Sequence, residues 1–253
     1  MSVTRTELLC FFEKLLSPNK IKDYCPNGLQ VEGKQTISKV ITGVSATQAL
    51  IDHAVCVNAD AIFVHHGYFW KGEDPCITGM KKKRIETLLA HNINLFAYHL
   101  PLDIHPELGN NAQLAKLLGI NNLTGLEEGN PNSVAMRGEF SPSISADELT
   151  QRITLNLNRQ PLHESSNKKQ ISTVAWCTGG GQGYIQQAAD LGIDAFITGE
   201  VSEQTIHVAR EMNIHFYAAG HHATERYGAK AVAEYVNQQL GLEASFVDID
   251  NPA

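Results

Sequence analysis

The chain has little means of covalent cross-linking. Its five cysteines, Cys10, Cys25, Cys56, Cys76 and Cys177, are odd in number, scattered, and never spaced as C-x-x-C. That spacing excludes a disulfide framework and a zinc site built on thiolates, and a reducing cytoplasm is the compartment expected. Long apolar runs are missing too. No uninterrupted stretch approaches the roughly 20 residues that span a bilayer, and the first apolar segment is broken by Glu7, Glu13 and Lys14. A soluble, non-exported chain with no membrane partner is expected. Positive charge is also scarce: 27 acidic residues against 20 basic ones give a net charge of -7. This argues against a broad basic face for duplex nucleic acid, though not against a local basic patch. The single basic run, 81–84, is either a solvated helix start or a rim that attracts phosphates.

What is present is more specific. The 253 residues are enough to bury the core of one large or two small domains. Two stretches resemble each other. Ser38-Lys-Val-Ile-Thr-Gly43 leads through a helical segment to Asn58-Ala-Asp-Ala-Ile-Phe-Val64, and Ser172-Thr-Val-Ala-Trp-Cys177 leads to Gly192-Ile-Asp-Ala-Phe-Ile-Thr198. Asp60-Ala61 thus matches Asp194-Ala195 without a gap, and Asn92-Ile93 later matches Asn213-Ile214 once the extra segment 67–79 of the first copy is passed.

Each copy reads strand, helix, strand, helix, strand, helix. Continuous apolar runs at 61–64 and 195–197 suit strands covered on both faces. The fold class expected is α/β, two related units each with a mainly parallel, helix-covered sheet, and a metal site at the strand ends between them. The first unit, with an amphipathic helix over 6–16, is expected at 1–125 and the second at 126–253, the junction falling near 125–131 where glycine, proline and polar residues cluster. Ala112, Leu114, Ala115, Leu117 and Leu118 form an apolar helix stripe, with Ala231, Val232, Tyr235 and Val236 as its counterpart, and both read as core. Between 121 and 170 the pattern is weaker: a strand at 134–140, then a helix opened by the capping box Ser145-x-x-Glu148.

In open α/β sheets, ligands bind beyond the carboxyl ends of the strands. There the first copy carries Val64-His65-His66-Gly67 and Tyr98-His99-Leu-Pro-Leu-Asp103, and the second carries Thr198-Gly199-Glu200 and Gly220-His221-His222-Ala-Thr-Glu225. Imidazole nitrogen and carboxylate oxygen are ligands that zinc, iron and manganese accept. His65, His66, Asp103, His221 and Glu225 are five such groups. With a bridging carboxylate they would serve two divalent ions and leave positions open, as catalytic sites do. Glu200 either caps the next helix or faces the site. His99 orients Asp103 or a ligand, or is structural, as His222 and His105 are expected to be. Thr178, Gly179, Gly180 and Gly181 make a glycine-rich turn after a strand, read either as a phosphate cradle or as a tight turn; it lacks a P-loop lysine.

Together the segments Asn27-Gly-Leu-Gln-Val-Glu-Gly33, Val64-His-His-Gly67, His99-Leu-Pro-Leu-Asp103, Gly109-Asn-Asn111, Thr178-Gly-Gly-Gly181, Thr198-Gly-Glu200 and Gly220-His-His-Ala-Thr-Glu225 resemble the Nif-three-like family, also called GTP cyclohydrolase 1 type 2 homologues, nearest its bacterial YbgI-type members. The resemblance covers nearly the whole chain. It implies a dinuclear centre on His65, His66, Asp103, His221 and Glu225, and a ring-shaped homohexamer. The function expected is a metal-dependent hydrolase of a small anionic or nucleotide-type substrate, with His99 or Glu200 moving protons. The alternative is a metal-stabilised ring that binds a partner such as single-stranded nucleic acid and turns over nothing.

Overall fold

Apolar residues that run without alternation become strands covered on both faces. In the computed structural model, which describes residues 1–253, this is the state of Ala61–His66, Asn94–Ala97, Ala195–Thr198 and His215–Ala218, buried throughout except at His66. They are the inner strands of two sheets in a mixed α/β fold.

The first sheet runs in the order Glu243–Phe246, Lys39–Ser45, Ala61–His66, Asn94–Ala97, Gly28–Val31. The first four are parallel and the last is antiparallel to its neighbour. Helix Arg5–Leu16 begins at Thr4, whose side chain and that of Glu7 form a reciprocal capping box. Its Leu8, Phe12 and Leu16 pack on Val40, Phe63, Phe96 and Tyr98. Complete burial of a side chain such as Phe12 is worth roughly 1.5–3 kcal/mol. A second cluster joins Leu50, Ile51 and Ala54 of helix Gln48–Cys56, and Ile85 and Leu88 of helix Gly79–Ala90, to Ile41, Ile62, Val64 and Leu95.

The second sheet is mixed, which corrects the mainly parallel sheet expected in each half. Its order is Asn121–Gly125, Met136–Ile144, Ile171–Cys177, Ala195–Thr198, His215–Ala218, Leu162–Glu164. Only the three strands from Ile171 to Ala218 run parallel; the others pair antiparallel. The cause is the connection. Asn121–Gly125 and Met136–Ile144 are joined only by residues 126–135, fewer than the roughly a dozen or more that a parallel crossover needs, so the two pair as a hairpin. Ser145 then caps helix Ala146–Leu157 by accepting from the Glu148 amide.

The chain divides as Met1–Leu108 with Gly228–Asp250, and Gly109–Tyr227 with Asn251–Ala253, not at 125–126 as expected. Packing is the reason. Leu114, Ala115 and Leu118 of helix Asn110–Leu118 share a core with Phe140, Trp176 and Ile197 of the second unit. The long helix His221–Leu240 starts in the second unit, but its Val232, Ala233 and Val236 pack with Phe12 and Phe96 of the first. The glycine and proline at 125–131 turn a hairpin inside the second unit.

A carboxylate, buried at Asp60 and half-buried at Asp194, ties neighbouring strands in each unit. Asp60 accepts from the Ser38 and Lys39 amides, the Ser38 hydroxyl and Lys34 Nζ at 2.7–3.1 Å. Asp194 accepts from the Ser172 and Thr173 amides, the Thr173 hydroxyl and Lys168 Nζ at 2.9–3.0 Å. Burial pushes both carboxyls up, but these donors outweigh it and hold both below the usual carboxylate range. None of the five cysteines forms a disulfide, and no helix is long and apolar enough to cross a membrane.

Candidate metal centre

In the first unit, His65 and His66 close the strand Ala61–His66. His65 is fully buried, and its Nδ1 lies 3.2 Å from the Tyr98 carbonyl. A carbonyl can only accept, so Nδ1 carries the proton and Nε2 the lone pair. That Nε2 is 3.6 Å from Asp103 Oδ1. Asp103 is buried in the short helix Leu100–Asp103 that follows the strand Asn94–Ala97, so it sits one turn past the strand end expected for it. His66 Nδ1 meets the Ser45 hydroxyl at 3.0 Å. Gly67 is required by a close approach, because a Cβ there would lie 2.5 Å from that of Ala97.

His99 stands beside this pair. Its ring centroid is 5.0 Å from that of His65 and 5.8 Å from that of His66, and each of the three offers a ring nitrogen within 4.8 Å of the others. Its Nδ1 is held by Asp23 Oδ1 at 2.7 Å. Burial pushes the Asp23 carboxyl up, but hydrogen bonds from His99 and Asn27, the charge of His99 and the Tyr24 amide bring it down to about 2. Cys25 is close to Asp23 and His99. Burial and the Asp23 charge push its thiol up to about 12, which disfavours a thiolate there. Asp23 was not among the candidates read from sequence; its only signal was a turn-rich loop.

In the second unit, His221 opens helix His221–Leu240 and Glu225 follows one turn later, with Nε2 and Oε2 3.1 Å apart. Glu200 takes the other ring nitrogen: its Oε1 is 2.7 Å from His221 Nδ1. Capping of the next helix falls to Ser202. Glu200 thus lies against His221 and does not cap the helix that follows it. Burial alone would lower the affinity of His221 for a proton, but Glu225 and Glu200 outweigh it and raise its pKa to about 9. Two carboxylates that attract a proton to this imidazole attract a divalent cation by the same charge.

Two amides of the glycine-rich turn have partners within the protein. The Thr178 amide donates to Asn111 Oδ1 at 3.1 Å and the Gly179 amide to Thr224 Oγ1 at 3.0 Å. These two donors are engaged inside the protein. Gly179 has φ +64, and a Cβ there would collide with the Glu225 carboxylate and lie 3.0 Å from His221 Nε2. The turn lets the backbone pass beneath the two donors. Lys81, at the head of the basic run, pairs with Glu73 at 3.3 Å and lies over Phe69. His105 accepts from the Glu107 and Leu108 amides of its own loop, and His163 pairs with His215 at 3.1 Å and stacks on Tyr217; these are structural roles.

Imidazole and carboxylate groups, with no thiolate required, form a donor set that fits a divalent transition-metal ion. The family model of Duf34/NIF3 (NGG1p interacting factor 3) matches residues 3–252. The chain belongs to the Duf34/NIF3 family. Among its relatives are proteins named GTP cyclohydrolase 1 type 2 homolog from Vibrio cholerae, 56% identical over 97% of this chain and 98% of the relative, and from Haemophilus influenzae, 58% identical over 98% of both. The solved structure of protein ybgI, of unknown function, is 55% identical with a TM-score of 0.95, covering 99% of this chain and 100% of the other. TTHA1606 from Thermus thermophilus is 34% identical with a TM-score of 0.90 over the same shares.

Proposed function

We propose that the protein is a dinuclear metal hydrolase of a nucleotide-type substrate, working as a homohexameric ring in the cytoplasm, its two α/β units being copies of one ancestral unit. His65, His66 and Asp103 from one unit, and His221 and Glu225 from the other, are assigned to two ions of zinc, iron or manganese. The observation that carries this reading is the donor set of the second unit, in which Glu225 and Glu200 flank His221 at 3.1 and 2.7 Å and favour a cation. The names of the relatives support the nucleotide direction. Bound there, the ions would supply Lewis-acid activation of water and of the substrate.

The chain's own residues do the rest. Nδ1 of His65 is held by the Tyr98 carbonyl, which presents Nε2 as the donor. Glu200 fixes the plane of the His221 ring from the side opposite Glu225. The side chain of Glu200 is 45% exposed, so it can exchange a proton with solvent and with a substrate; His99 is the other group proposed for proton movement. The amides of Gly180 and Gly181 are what is left of the proposed phosphate contact.

The test is a panel of nucleotides and phosphoesters offered to metal-loaded protein, with product analysis. Wild type should turn over at least one member of the panel, and Asp103→Asn should be slower by on the order of 100-fold or more, since even partners of metal ligands cost 10–100-fold. Equal rates in the two proteins would mean that the activity arises elsewhere. No turnover by either would replace the hydrolase with the partner-binding ring.

A further inference from the structure

We infer that His99 is a further ligand of the metal centre and that Asp23 is the residue that positions it. The inference rests on the metal reading above and settles the choice it left between His99 and Glu200 as proton carrier in favour of Glu200.

Three imidazoles, those of His65, His66 and His99, each bring a nitrogen within 4.8 Å of the others. A ring that served only to tie two loops together would not need to share that space with two others. The state of the His99 ring is fixed by its partner. A carboxylate accepts, so the 2.7 Å contact with Asp23 puts the proton of the neutral ring on Nδ1 and leaves the lone pair on Nε2. This is the arrangement in which a carboxylate holds one nitrogen of a ligating histidine and the metal takes the other.

Asp23 is itself held firmly. Its side chain is 3% exposed. It accepts from the Tyr24 amide at 2.6 Å, from Asn27 Nδ2 at 2.9 Å and from the Leu100 amide at 2.9 Å, besides the ring. Asn27 Oδ1 accepts in turn from the His99 amide at 2.7 Å. One loop therefore grips His99 by its backbone and by its ring. Trp70 meets the same ring edge-on at 4.9 Å and limits its rotation. Such restraint has a purpose when a ring nitrogen must stay aimed at an ion, and a proton carrier that exchanges with solvent gains little from it.

The experiment is a titration of metal-free, full-length protein with Co2+ and with Zn2+ against a competing chelator, with the Co2+ ligand-field spectrum recorded at each step. His99→Gln removes the ring, Asp23→Asn removes the charge that holds it, and His207→Gln, on the exposed face of helix Glu203–Glu211, is the control. We expect Asp23→Asn to weaken binding of one ion by about 10–100-fold and His99→Gln by at least as much. Both should alter the Co2+ spectrum, while the control matches wild type. His99→Gln with wild-type affinity and spectrum overturns the inference; if that variant has also lost turnover, His99 is the proton carrier instead. Weakened binding in both variants without turnover in wild type upholds the inference and removes the hydrolase. Failure of wild type to bind either ion overturns both.

Discussion

Gly179→Ala is expected to weaken binding of the ion proposed at His221 and Glu225 by at least about 10-fold and to destabilise the protein by roughly 2–5 kcal/mol. Two effects combine. Gly179 has φ +64, and an alanine in that region costs about 1–2 kcal/mol through the clash of Cβ with its own backbone. The new methyl also lies 3.0 Å from Glu225 Cδ and from His221 Nε2, and closer still to a Glu225 oxygen. Glu225 is 3% exposed, so it cannot swing into solvent, and forced repacking of this kind costs about 1–3 kcal/mol. Gly180→Ala is the matched control. Its Cβ would sit 3.6 Å from Glu200 Oε2, an ordinary contact, and metal affinity should stay near that of wild type. Chelator competition and thermal melts read both effects. A Gly179→Ala protein that keeps wild-type affinity would show that the glycine does not serve the ligands, and a selective loss of phosphate affinity would restore the cradle.

That glycine shows where sequence reasoning ends. A run of glycines after a strand allows exposed amides and close approach of a side chain equally well, and only the position of Glu225 separates the two. The histidines and carboxylates were legible because such groups rarely close buried strands without a reason, and the pairing of His221 with Glu225 follows from helical spacing alone. Asp23 was not legible, since its partner His99 is 76 residues away and nothing in a turn-rich loop announces that contact. In the fold, strands buried on both faces declare themselves by unbroken apolar runs. Asn121–Gly125 is mostly exposed and polar, so it left no such trace, although its antiparallel partner Met136–Ile144 is close to the strand expected at 134–140. The division between units was hidden because helix His221–Leu240 is continuous, and an apolar stripe does not say which core will receive it.

Replacing either strand-tying carboxylate should lower stability to an extent comparable with Gly179→Ala. Asp60→Ala leaves the Ser38 and Lys39 amides and the Ser38 hydroxyl without their acceptor, and Lys34 without its counter-charge. Unsatisfied donors cost about 1–3 kcal/mol each where water cannot reach them, and water that enters beside the exposed Ser38 and the partly exposed Lys34 recovers some of this. A net loss of roughly 2–4 kcal/mol is expected, which for units of this size lowers the melting temperature by roughly 5–15 °C. Asp194→Ala removes the acceptor of the Ser172 and Thr173 amides and the Thr173 hydroxyl and should act similarly on its own unit. The pH dependence has a definite sign. Both carboxyls are held below the usual range in the folded state, so their contribution is fully present above the unfolded value near pH 4. It is lost as pH falls through the folded value, because the unfolded chain then binds more protons. The gap between wild type and Asp60→Ala should therefore be constant at neutral pH and narrow below about pH 4. Hydrogen exchange adds the location: protection should fall first in Lys39–Ser45 and Ala61–His66 for Asp60→Ala, and in Ile171–Cys177 and Ala195–Thr198 for Asp194→Ala. Melting temperatures within about a degree of wild type at neutral pH would show that water replaces these carboxylates without loss, and that the strands are held by their apolar faces alone.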